Sequence, residues 1–392
     1  MINLENLENI LAQWSFWDST PKRSITRQIE LPKKLCNDLV LIIQGVRRCG
    51  KSTLLTQIPE HYDLPMENCF FCNFEDPRLP KDADNNLLDS IVTIARKKSK
   101  KNQKCYFFFD EIQHIHSWEK WLHVQLERPQ NNYFIITGSN SALLSGEFGS
   151  SLTGRHITLE LFPFSIKEYK KLLPKNNFQN YLNSGGFPRA IIADNPTQLL
   201  QDYFNDIIFR DVMRRVNARS VESIRQVIKM AFESCGSELS YRKIAAVVGI
   251  SVDTVKTYLE ACEYAYLIFP CHFFAFSEKK RLAKQKKYYA IDTALRKSII
   301  STSNRDLGKS LESLVFLHLK KHNEQVYYWQ ETHKGEVDFV TVNKNIITPY
   351  QVTLKEPEQR HYKALDSFYS NFPQAEEAIF INSDNVEDFL EN

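Results

Sequence analysis

The pattern of apolar and polar positions changes several times along the chain, and each change marks a different kind of element. Residues 3–17 carry apolar side chains every three or four positions, which predicts an amphipathic helix. From Leu39 onward, short apolar runs alternate with helical stretches. These runs lack polar alternation, as is typical of a parallel sheet covered by helices on both faces. The predicted strands are LVLIIQ (39–44), CFFCNF (69–74), CYFFFD (105–110), NYFIITG (132–138) and HITLEL (156–161).

After Phe162 the strand pattern stops and two further patterns follow. Residues 165–215 are predicted to be helical, with an interruption at the turn SGGFPRA (184–190). Residues 221–275 contain helical stretches, two of them joined by a turn near Ile250, and then an apolar strand. This succession is typical of a winged helix.

The remaining chain predicts a smaller α/β unit. The basic stretch EKKRLAKQKK (278–287) predicts a hairpin or loop. Helices are predicted at 309–321 and 359–371, and strands at 325–330, 335–342 and 346–354. We therefore expect five parts: an N-terminal helical segment (1–28), a parallel-sheet core (29–164), a helical segment (165–216), a winged helix (217–285) and a small α/β domain (286–392).

Composition narrows the class of protein. The chain has 392 residues, of which 25% are charged and only 12 are glycine, so fibrous and low-complexity classes are excluded. It has neither an apolar stretch of membrane-spanning length nor a signal-peptide pattern, and we expect a cytoplasmic protein without a membrane partner. The eight cysteines show no disulfide framework. The pair Cys69 and Cys72 lies in a predicted buried strand without a second ligand pair for zinc.

Charge is unevenly distributed along the chain. The net charge is +3, but residues 201–300 carry 17 Lys+Arg against 11 Asp+Glu. An acidic polymer is therefore most easily accommodated by this middle region. The same excess of Lys and Arg would also be found if this region only formed a basic surface exposed to solvent, without an acidic partner.

A phosphate-binding motif is complete in the sequence. GVRRCGKS (45–52) fits G-x-x-x-x-G-K-S/T, and it lies between a predicted strand and a predicted helix, as the motif requires. Glycines let backbone N–H groups surround phosphate oxygens, and the helix N-terminus adds partial positive charge. Lys51 is expected to contact the β- and γ-phosphates and Ser52 to bind Mg²⁺. ATP and Mg²⁺ are thus the predicted ligands, and the predicted contact residues are Gly45, Arg48, Cys49, Gly50, Lys51, Ser52 and Thr53.

Three residues of the loop have side chains whose roles differ from that of Lys51. Cys49 is expected to act as a spacer whose side chain points away from phosphate. Arg47 and Arg48 could face a partner subunit or nucleic acid, and the sequence does not decide which of these two partners they contact.

Polar residues follow two of the predicted strands. Asp110 and Glu111 end CYFFFDE, 59 residues after Lys51 with one strand–helix crossover between. The carboxylate of Asp110 can reach the water shell of the metal, and that of Glu111 can polarise an attacking water. The next strand ends in GSNS, which would place Ser139 or Asn140 between these carboxylates and the γ-phosphate.

Together these residues resemble the AAA+ ATPases, and more closely the archaeal-ATPase/initiator-like clade with a C-terminal domain of uncharacterised function. The resemblance spans nearly the whole chain and implies a P-loop AAA+ sheet with a helical lid, ATP hydrolysis, and a homo-oligomer forming a ring or a helical assembly. It implies that Arg155 is an arginine finger that reaches a neighbouring subunit's nucleotide. It also implies that Pro188 contacts the base and that Arg189 is a second sensor. The matching segments are GVRRCGKSTLL, FFFDEIQ with Trp118, TGSNS, LTGRHITLELFPFSIKEY, GGFPRA and GEVDFV.

The C-terminal part resembles the PD-(D/E)XK nuclease fold. Glu312 lies on a predicted helix and Asp338 ends GEVD on a predicted strand. The third acidic position of the family is Gln351 here and its lysine position is Thr353, with Lys355 on the same strand as a candidate substitute. Active members hold Mg²⁺ with two carboxylates and use the lysine to position water. We therefore expect a degenerate domain that binds DNA or a partner.

Three functions fit these patterns. The first is an oligomeric ATPase that binds and remodels or translocates on DNA, whether duplex, single-stranded or branched. The second is a nucleotide-controlled signalling or defence switch that acts on a protein partner, and the third is an ATP-dependent nuclease. The second helix of the winged-helix pattern carries one Lys against three acidic residues, so we expect backbone contacts rather than base reading. The candidate phosphate contacts are Arg242, Lys243, Lys256, Lys279, Lys280 and Arg281.

Overall fold

The computed structural model describes residues 2–16, 24–99, 103–139, 154–216, 220–301, 306–323 and 325–392. The chain divides into two units, residues 1–161 and 162–392. The first contains the predicted parallel sheet and the second contains helices and a mixed sheet. The α/β fold class is therefore confirmed. Among the described helices, none has the length and apolar character that crossing a bilayer requires.

The first unit is built on five strands that pair in parallel. The strands are β1 (Val40–Gln44), β2 (Cys69–Asn73), β3 (Cys105–Asp110), β4 (Asn132–Gly138) and β5 (His156–Glu160). Their order across the sheet is β2-β3-β4-β1-β5. Leu41 of β1 lies opposite Ile135 on one side and Ile157 on the other. The helices are α1 (Leu4–Trp14), α2 (Lys51–His61), α3 (Asn85–Lys98) and α4 (Trp118–Glu127), with 3-10 turns at Met66–Asn68 and Ile112–His114.

Strands β1 to β4 are largely buried on both faces, which is why they show no alternation, whereas the edge strand β5 is partly exposed. Every residue of β1 and of β3 is buried. The rings of Phe70, Phe107 and Phe134 stack across three neighbouring strands, with centroids 5.7 and 5.3 Å apart. Leu7 and Leu11 of α1 join this core, as the spacing of the N-terminal segment predicts. The packed core extends to the last residues of β1 and β3. Polar side chains appear there, at the ends of these two strands.

The second unit begins with helices and ends with a six-stranded mixed sheet. The helices are α5 (Ile166–Leu172), α6 (Phe178–Ser184), α7 (Pro188–Ile191), α8 (Pro196–Ile207), α9 (Met213–Val216), α10 (Val221–Glu233), α11 (Tyr241–Val248), α12 (Val252–Tyr264), α13 (Glu278–Ala283), α14 (Thr293–Ile299), α15 (Asp306–His322), α16 (Gln359–Asn371) and α17 (Val386–Glu391). A π-helical turn, Ile208–Val212, joins α8 to α9. The strands are β6 (Ile268–Phe273), β7 (Lys287–Ala290), β8 (Val326–Glu331), β9 (Gly335–Asn343), β10 (Ile346–Val352) and β11 (Ile379–Ile381).

The middle of this unit has a helix-turn-helix followed by a strand pair. The side chain of Ser240 caps α11 and that of Ser251 caps α12, and Gly249 ends α11 in the left-handed conformation. β6 then pairs antiparallel with β7. Glu238, ahead of α11, forms an antiparallel bridge with Lys287 of β7.

Two features differ from the sequence prediction. Residues 278–287, predicted as a hairpin or loop, contain the helix α13, because Ser277 caps it and Glu278 lies in its first turn. The expected boundary between residues 285 and 286 falls inside a sheet. The order β11-β10-β9-β8-β6-β7 includes β6, which pairs in parallel with β8. The strand that ends the helix-turn-helix pattern is thus also part of the C-terminal sheet.

A buried carboxylate fixes the turn before α7. One oxygen of Asp292 accepts a hydrogen bond from the Gly186 N–H at 2.7 Å, and the other accepts from the Leu295 N–H at 2.8 Å. Gly185 has φ +66°, and a Cβ there would lie 2.3 Å from an Asp292 oxygen. Glycine is therefore required at 185 both for its backbone conformation and for space.

We predict that Gly185→Ala destabilises the protein more than Gly249→Ala does. Both positions have a positive φ, which costs a non-glycine residue about 1–3 kcal/mol, but the space around Gly249 is open. Overpacking against Asp292 should add about 2 kcal/mol at position 185. Urea unfolding of both variants measures the difference, and equal losses would contradict the clash.

Candidate functional site

The loop between β1 and α2 is shaped by glycines at both ends. A Cβ on Gly45 would lie 2.1 Å from the Leu161 carbonyl oxygen, and Gly50 has φ +104° where α2 begins. The Cys49 side chain is buried, and its thiol lies 3.3 Å from the same carbonyl. Cys49 can therefore offer a ligand only its backbone N–H. Ser52 and Thr53 are exposed on the first turn of α2.

The Lys51 ammonium lies inside this loop. It donates to the carbonyl oxygens of Gly45 at 3.0 Å and Val46 at 3.2 Å, and it lies 3.6 Å from a Glu111 carboxylate oxygen. Burial disfavours its charge, but the neighbouring Glu111, Cys49 and Asp110 together outweigh this and raise the pKa of Lys51. The loop therefore contains a permanent cation whose present partners are mostly neutral carbonyls.

Asp110, at the end of β3, is held by three neighbours. It accepts a hydrogen bond from the Asn73 amide at 3.1 Å and others from the hydroxyls of Thr137 and Ser52. Burial and the nearby Glu111 charge raise the pKa of Asp110, although these hydroxyls oppose the shift. The hydroxyl of Ser52 and the carboxylate of Asp110 are thus side by side, and their binding of magnesium stays a prediction.

Glu111 adopts a left-handed backbone conformation, with φ +56°. Its N–H donates to the Thr137 hydroxyl at 3.0 Å, and its side chain accepts a hydrogen bond from the Gln113 amide. Burial opposes ionisation, but the charges of Lys51 and Arg47 prevail and lower the pKa of Glu111. The carboxylate is therefore ionised at neutral pH and can accept a proton or orient a water.

The two loop arginines have different surroundings. Arg47 forms an ion pair with Glu75 at 2.9 Å, and His114 lies 3.5 Å from the same carboxylate oxygen. A hydrogen bond from His114, together with Arg47 and against the effect of burial, lowers the pKa of Glu75 to about 2. Arg47 therefore binds a carboxylate of its own subunit, whereas Arg48 has an exposed side chain.

Several residues around the loop were missed by the sequence interpretation. Asn73 ends β2 and Glu75 follows it, at the same edge where Asp110 ends β3, and the reasoning used for Asp110 would have found them. Thr137 lies within β4, where the surrounding apolar residues predict only a buried strand, so the pattern gives no indication of a site residue. Arg27 belongs to no motif, yet its guanidinium donates to the Cys49 carbonyl at 2.8 Å.

The other predicted residues of the first unit lie at opposite edges of the sheet. Ser139 is buried just after β4, and its hydroxyl lies 3.4 Å from the Gln113 amide. Asn140 lies outside the described residues. Arg155 immediately precedes β5, which runs parallel to β1, so it lies at the edge opposite the loop. Its guanidinium is 3.6 Å from Glu127.

The remaining predicted nucleotide contacts belong to the second unit. Pro188 is the first residue of α7, and Arg189 is exposed beside it. Both follow the turn held by Asp292. Their contact with a nucleotide stays a prediction.

Within the second unit, the three nuclease-like residues come from α15, β9 and β10. The Gln351 amide donates to Asp338 at 2.6 Å, and the Val352 N–H donates to the same carboxylate oxygen at 2.7 Å. The Tyr289 hydroxyl donates to Glu312 at 2.6 Å. The structure thus surrounds these side chains with hydrogen-bond donors.

A lysine from β7 completes this group. Lys287 is fully buried and forms an ion pair with Glu336. Burial opposes its charge, but the carboxylates of Glu312, Glu336 and Asp338 outweigh this and raise the pKa of Lys287. Lys355, which we considered as a substitute lysine, is exposed and lies beyond the end of β10, so that suggestion is wrong.

Burial also acts on the acids of this group, which we call the Lys287 cluster (Lys287, Glu312, Glu336, Asp338 and Gln351). Burial and repulsion from Glu312 raise the pKa of Asp338. Over the described ranges, no group of three or more His, Cys, Asp or Glu side chains could hold a metal ion. In the Lys287 cluster, the positive charge beside the carboxylates is the ammonium group of Lys287.

Comparisons with known proteins identify the family. Residues 37–170 match the AAA domain, and residues 175–306 and 307–392 match two domains of unknown function, DUF8612 and DUF4143. An uncharacterized protein of Haemophilus influenzae is 30% identical over 344 residues, covering 83% of this chain and 84% of that protein. An uncharacterized protein of Methanocaldococcus jannaschii is 33% identical over 372 residues, covering 86% and 81%. The chain belongs to this family of AAA-domain proteins.

Solved structures are similar to the AAA-domain protein only distantly. The Aeropyrum pernix ORC1 protein in complex with DNA gives a TM-score of 0.30 at 9% identity, covering 76% of this chain and 90% of that one. The S. cerevisiae Hsp104–ADP complex gives 0.28 at 12% identity, covering 80% and 47%. Because these TM-scores are low, neither carries an argument about activity. The AAA domain itself makes this a nucleotide-dependent protein.

We predict that Lys287→Met is strongly destabilising at neutral pH. Removing one partner from a buried ion pair leaves uncompensated carboxylates, at a cost of about 3–5 kcal/mol. The raised pKa of Asp338 means that protonation relieves this repulsion in the folded state. The deficit relative to wild type should therefore shrink as pH falls from 8 to 5. Urea unfolding at both pH values measures it, with exposed Lys279→Met as the control; a deficit that does not depend on pH would contradict this account.

Proposed function

We propose that this AAA-domain protein is an oligomeric ATPase that hydrolyses ATP to bind DNA and to remodel it or translocate on it. One observation carries the proposal. Lys51, Asp110 and Glu111 meet at the edge of the sheet where β1 ends in a glycine loop. A buried cation, a carboxylate beside a helical hydroxyl and an ionised carboxylate are the groups that phosphoryl transfer to water requires.

The residues present fit ATP and Mg²⁺. The glycine loop and the start of α2 supply N–H groups for phosphate oxygens. Ser52 and Asp110 are oxygen donors, which Mg²⁺ prefers. When bound, Mg²⁺ neutralises charge on the phosphates. Lys51 would exchange its carbonyl partners for phosphate oxygens, which bind an ammonium more strongly. Glu111 would orient the attacking water and accept its proton.

Arg155 supports an oligomeric enzyme. It lies at the sheet edge opposite the loop, so it would serve the nucleotide of a neighbouring subunit rather than its own. Its pairing with Glu127 is partly exposed, and such pairs are weak enough to exchange. A second copy could therefore take the guanidinium away from Glu127 at little cost.

The second unit supports a role in binding rather than cutting. The helix-turn-helix with its strand pair resembles a winged helix, and it lies in the basic region of the chain. The Lys287 cluster contains the residues of the nuclease-like pattern, but a buried lysine ammonium lies among them and forms an ion pair with Glu336. We therefore propose that this domain binds DNA or a partner protein and does not hydrolyse DNA.

The first experiment is the ATPase rate of wild type and Glu111→Gln, with and without DNA, over a series of salt concentrations. We expect DNA to stimulate wild type and the stimulation to fall with salt, because phosphate contacts release counterions. Glu111→Gln should bind ATP but lose at least about 100-fold in rate, because a positioned general base contributes that much.

Lys51→Ala is the control for nucleotide binding, and it should bind ATP far more weakly than Glu111→Gln. Normal ATP affinity in Lys51→Ala would refute the phosphate site, and a wild-type rate in Glu111→Gln would refute its role. A wild-type rate that no DNA changes would instead favour the nucleotide-controlled switch acting on a protein.

Mixing two inactive variants tests the arginine finger. Arg155→Ala should lose about 1,000-fold in ATPase rate, as removal of a finger does, and Lys51→Ala should be inactive. In a mixture, the Arg155 of one subunit can reach an intact loop of another, so some activity should return. Arg128→Ala, at the end of α4, is the matched control. No recovery at any mixing ratio would exclude action in trans.

A further inference from the structure

We propose that the connection between β6 and β7, residues 277–286, is the surface that binds the phosphate backbone of DNA. We call this segment the basic wing. The inference rests on the proposed DNA-dependent function and names the element that makes the contact. It differs from the usual expectation for a helix-turn-helix, in which the second helix reads the major groove.

The charge of the basic wing is available to an outside partner. Lys279, Lys280 and Lys284 are exposed, and no ion pair found within the described ranges joins them to a carboxylate. The one acidic residue of the segment, Glu278, pairs with Arg281 at 3.2 Å. The wing therefore presents three lysines that form no ion pair with any carboxylate among the described residues.

The wing also has a fixed conformation, because its half-buried arginine fastens it to the sheet. Arg281 donates to the Ala275 carbonyl at 3.0 Å, and its guanidinium lies 5.1 Å from the centre of the Tyr327 ring. The Lys284 ammonium lies 5.3 Å from the Phe273 ring centre. Arg281 is thus a positioning residue. Lys279 and Lys280 lie on the short helix α13, and Lys284 directly follows it.

The helix α12 is less suited to an anionic partner. Lys256 lies 3.8 Å from Glu260 on the same face, so its charge is offset. Asp253 stands in the first turn, where it would meet DNA first. A like-charged group directed at the backbone disfavours close approach. This contrast assigns the primary contact to the wing.

The shortness of α13, rather than its exposed apolar neighbours, favours DNA over a membrane as the partner. Phe276 is 67% exposed and Leu282 is 70% exposed, and either surface could accommodate such groups. Helices that lie in a membrane interface are commonly 20–30 residues long, whereas α13 has 6. Phe276 also packs on Phe372 with ring centroids 5.5 Å apart, so it is already partly engaged. Leu282 is therefore the side chain that could contact the sugars or a groove of DNA, where other proteins insert apolar side chains.

The test is the affinity of the full chain for a fluorescent 30-base-pair duplex, measured by anisotropy over a salt series. The variant Lys279→Ala/Lys280→Ala/Lys284→Ala should reduce the slope of log affinity against log salt by about 2–3, since each phosphate contact contributes about 0.9. At about 0.1 M salt the affinity should fall about 100-fold or more. The matched control, Lys33→Ala/Lys34→Ala/Lys81→Ala, removes three exposed lysines of the first unit and should leave both quantities unchanged.

The outcomes separate this inference from the proposed function. If wild type binds duplex and the wing variant binds equally well, the wing assignment is overturned while a DNA-dependent ATPase survives. If wild type binds no DNA, both fail. Binding to vesicles of phosphatidylglycerol and phosphatidylcholine, with no DNA binding, would make the wing a membrane contact instead. Basal ATPase without DNA should match wild type in the wing variant, because the three lysines lie outside the unit that contains the glycine loop.

Discussion

A charge removed from water needs an opposite charge close by, and each unit contains a buried lysine to which this requirement applies. In the first unit, Lys51 lies between backbone carbonyls and Glu111. In the second, Lys287 lies among carboxylates from neighbouring elements. The strands, helices and turns around these lysines hold the partners in place, so the two arrangements could not exist without the cores beneath them.

The same pairing has opposite chemical consequences in the two places. Around Lys51 the partners are mostly carbonyls, and the adjacent Ser52 is exposed, so a polyanion can enter and replace them. Around Lys287 the partners are charged, and the lysine is completely buried. Displacing it would expose several carboxylates to one another at high cost. The first arrangement is open to exchange with a ligand, while the second is internally neutralised.

Much of the first unit could be predicted from sequence because its signals are local. The glycine loop, the apolar strands and the carboxylates that follow β3 are contiguous patterns, and the structure has them within a residue or two of the predicted bounds. Partners that lie far apart in sequence could not be found in this way. Arg27 and Thr137 belong to no motif, and Lys287 stands in a basic run that resembles a surface loop. The roles of Arg155, Pro188 and Arg189 stay predictions, because they depend on contacts beyond a single folded unit.

The position of β6 has a mechanical consequence. This strand is hydrogen-bonded to β7 on one side and to β8 on the other, so the basic wing grows directly out of the C-terminal sheet. A load taken up by the wing would be carried in shear along these two ladders, in which β6 forms four residue pairs with β7 and two with β8. The wing and the sheet should therefore behave as one stiff body under tension, without a hinge between them.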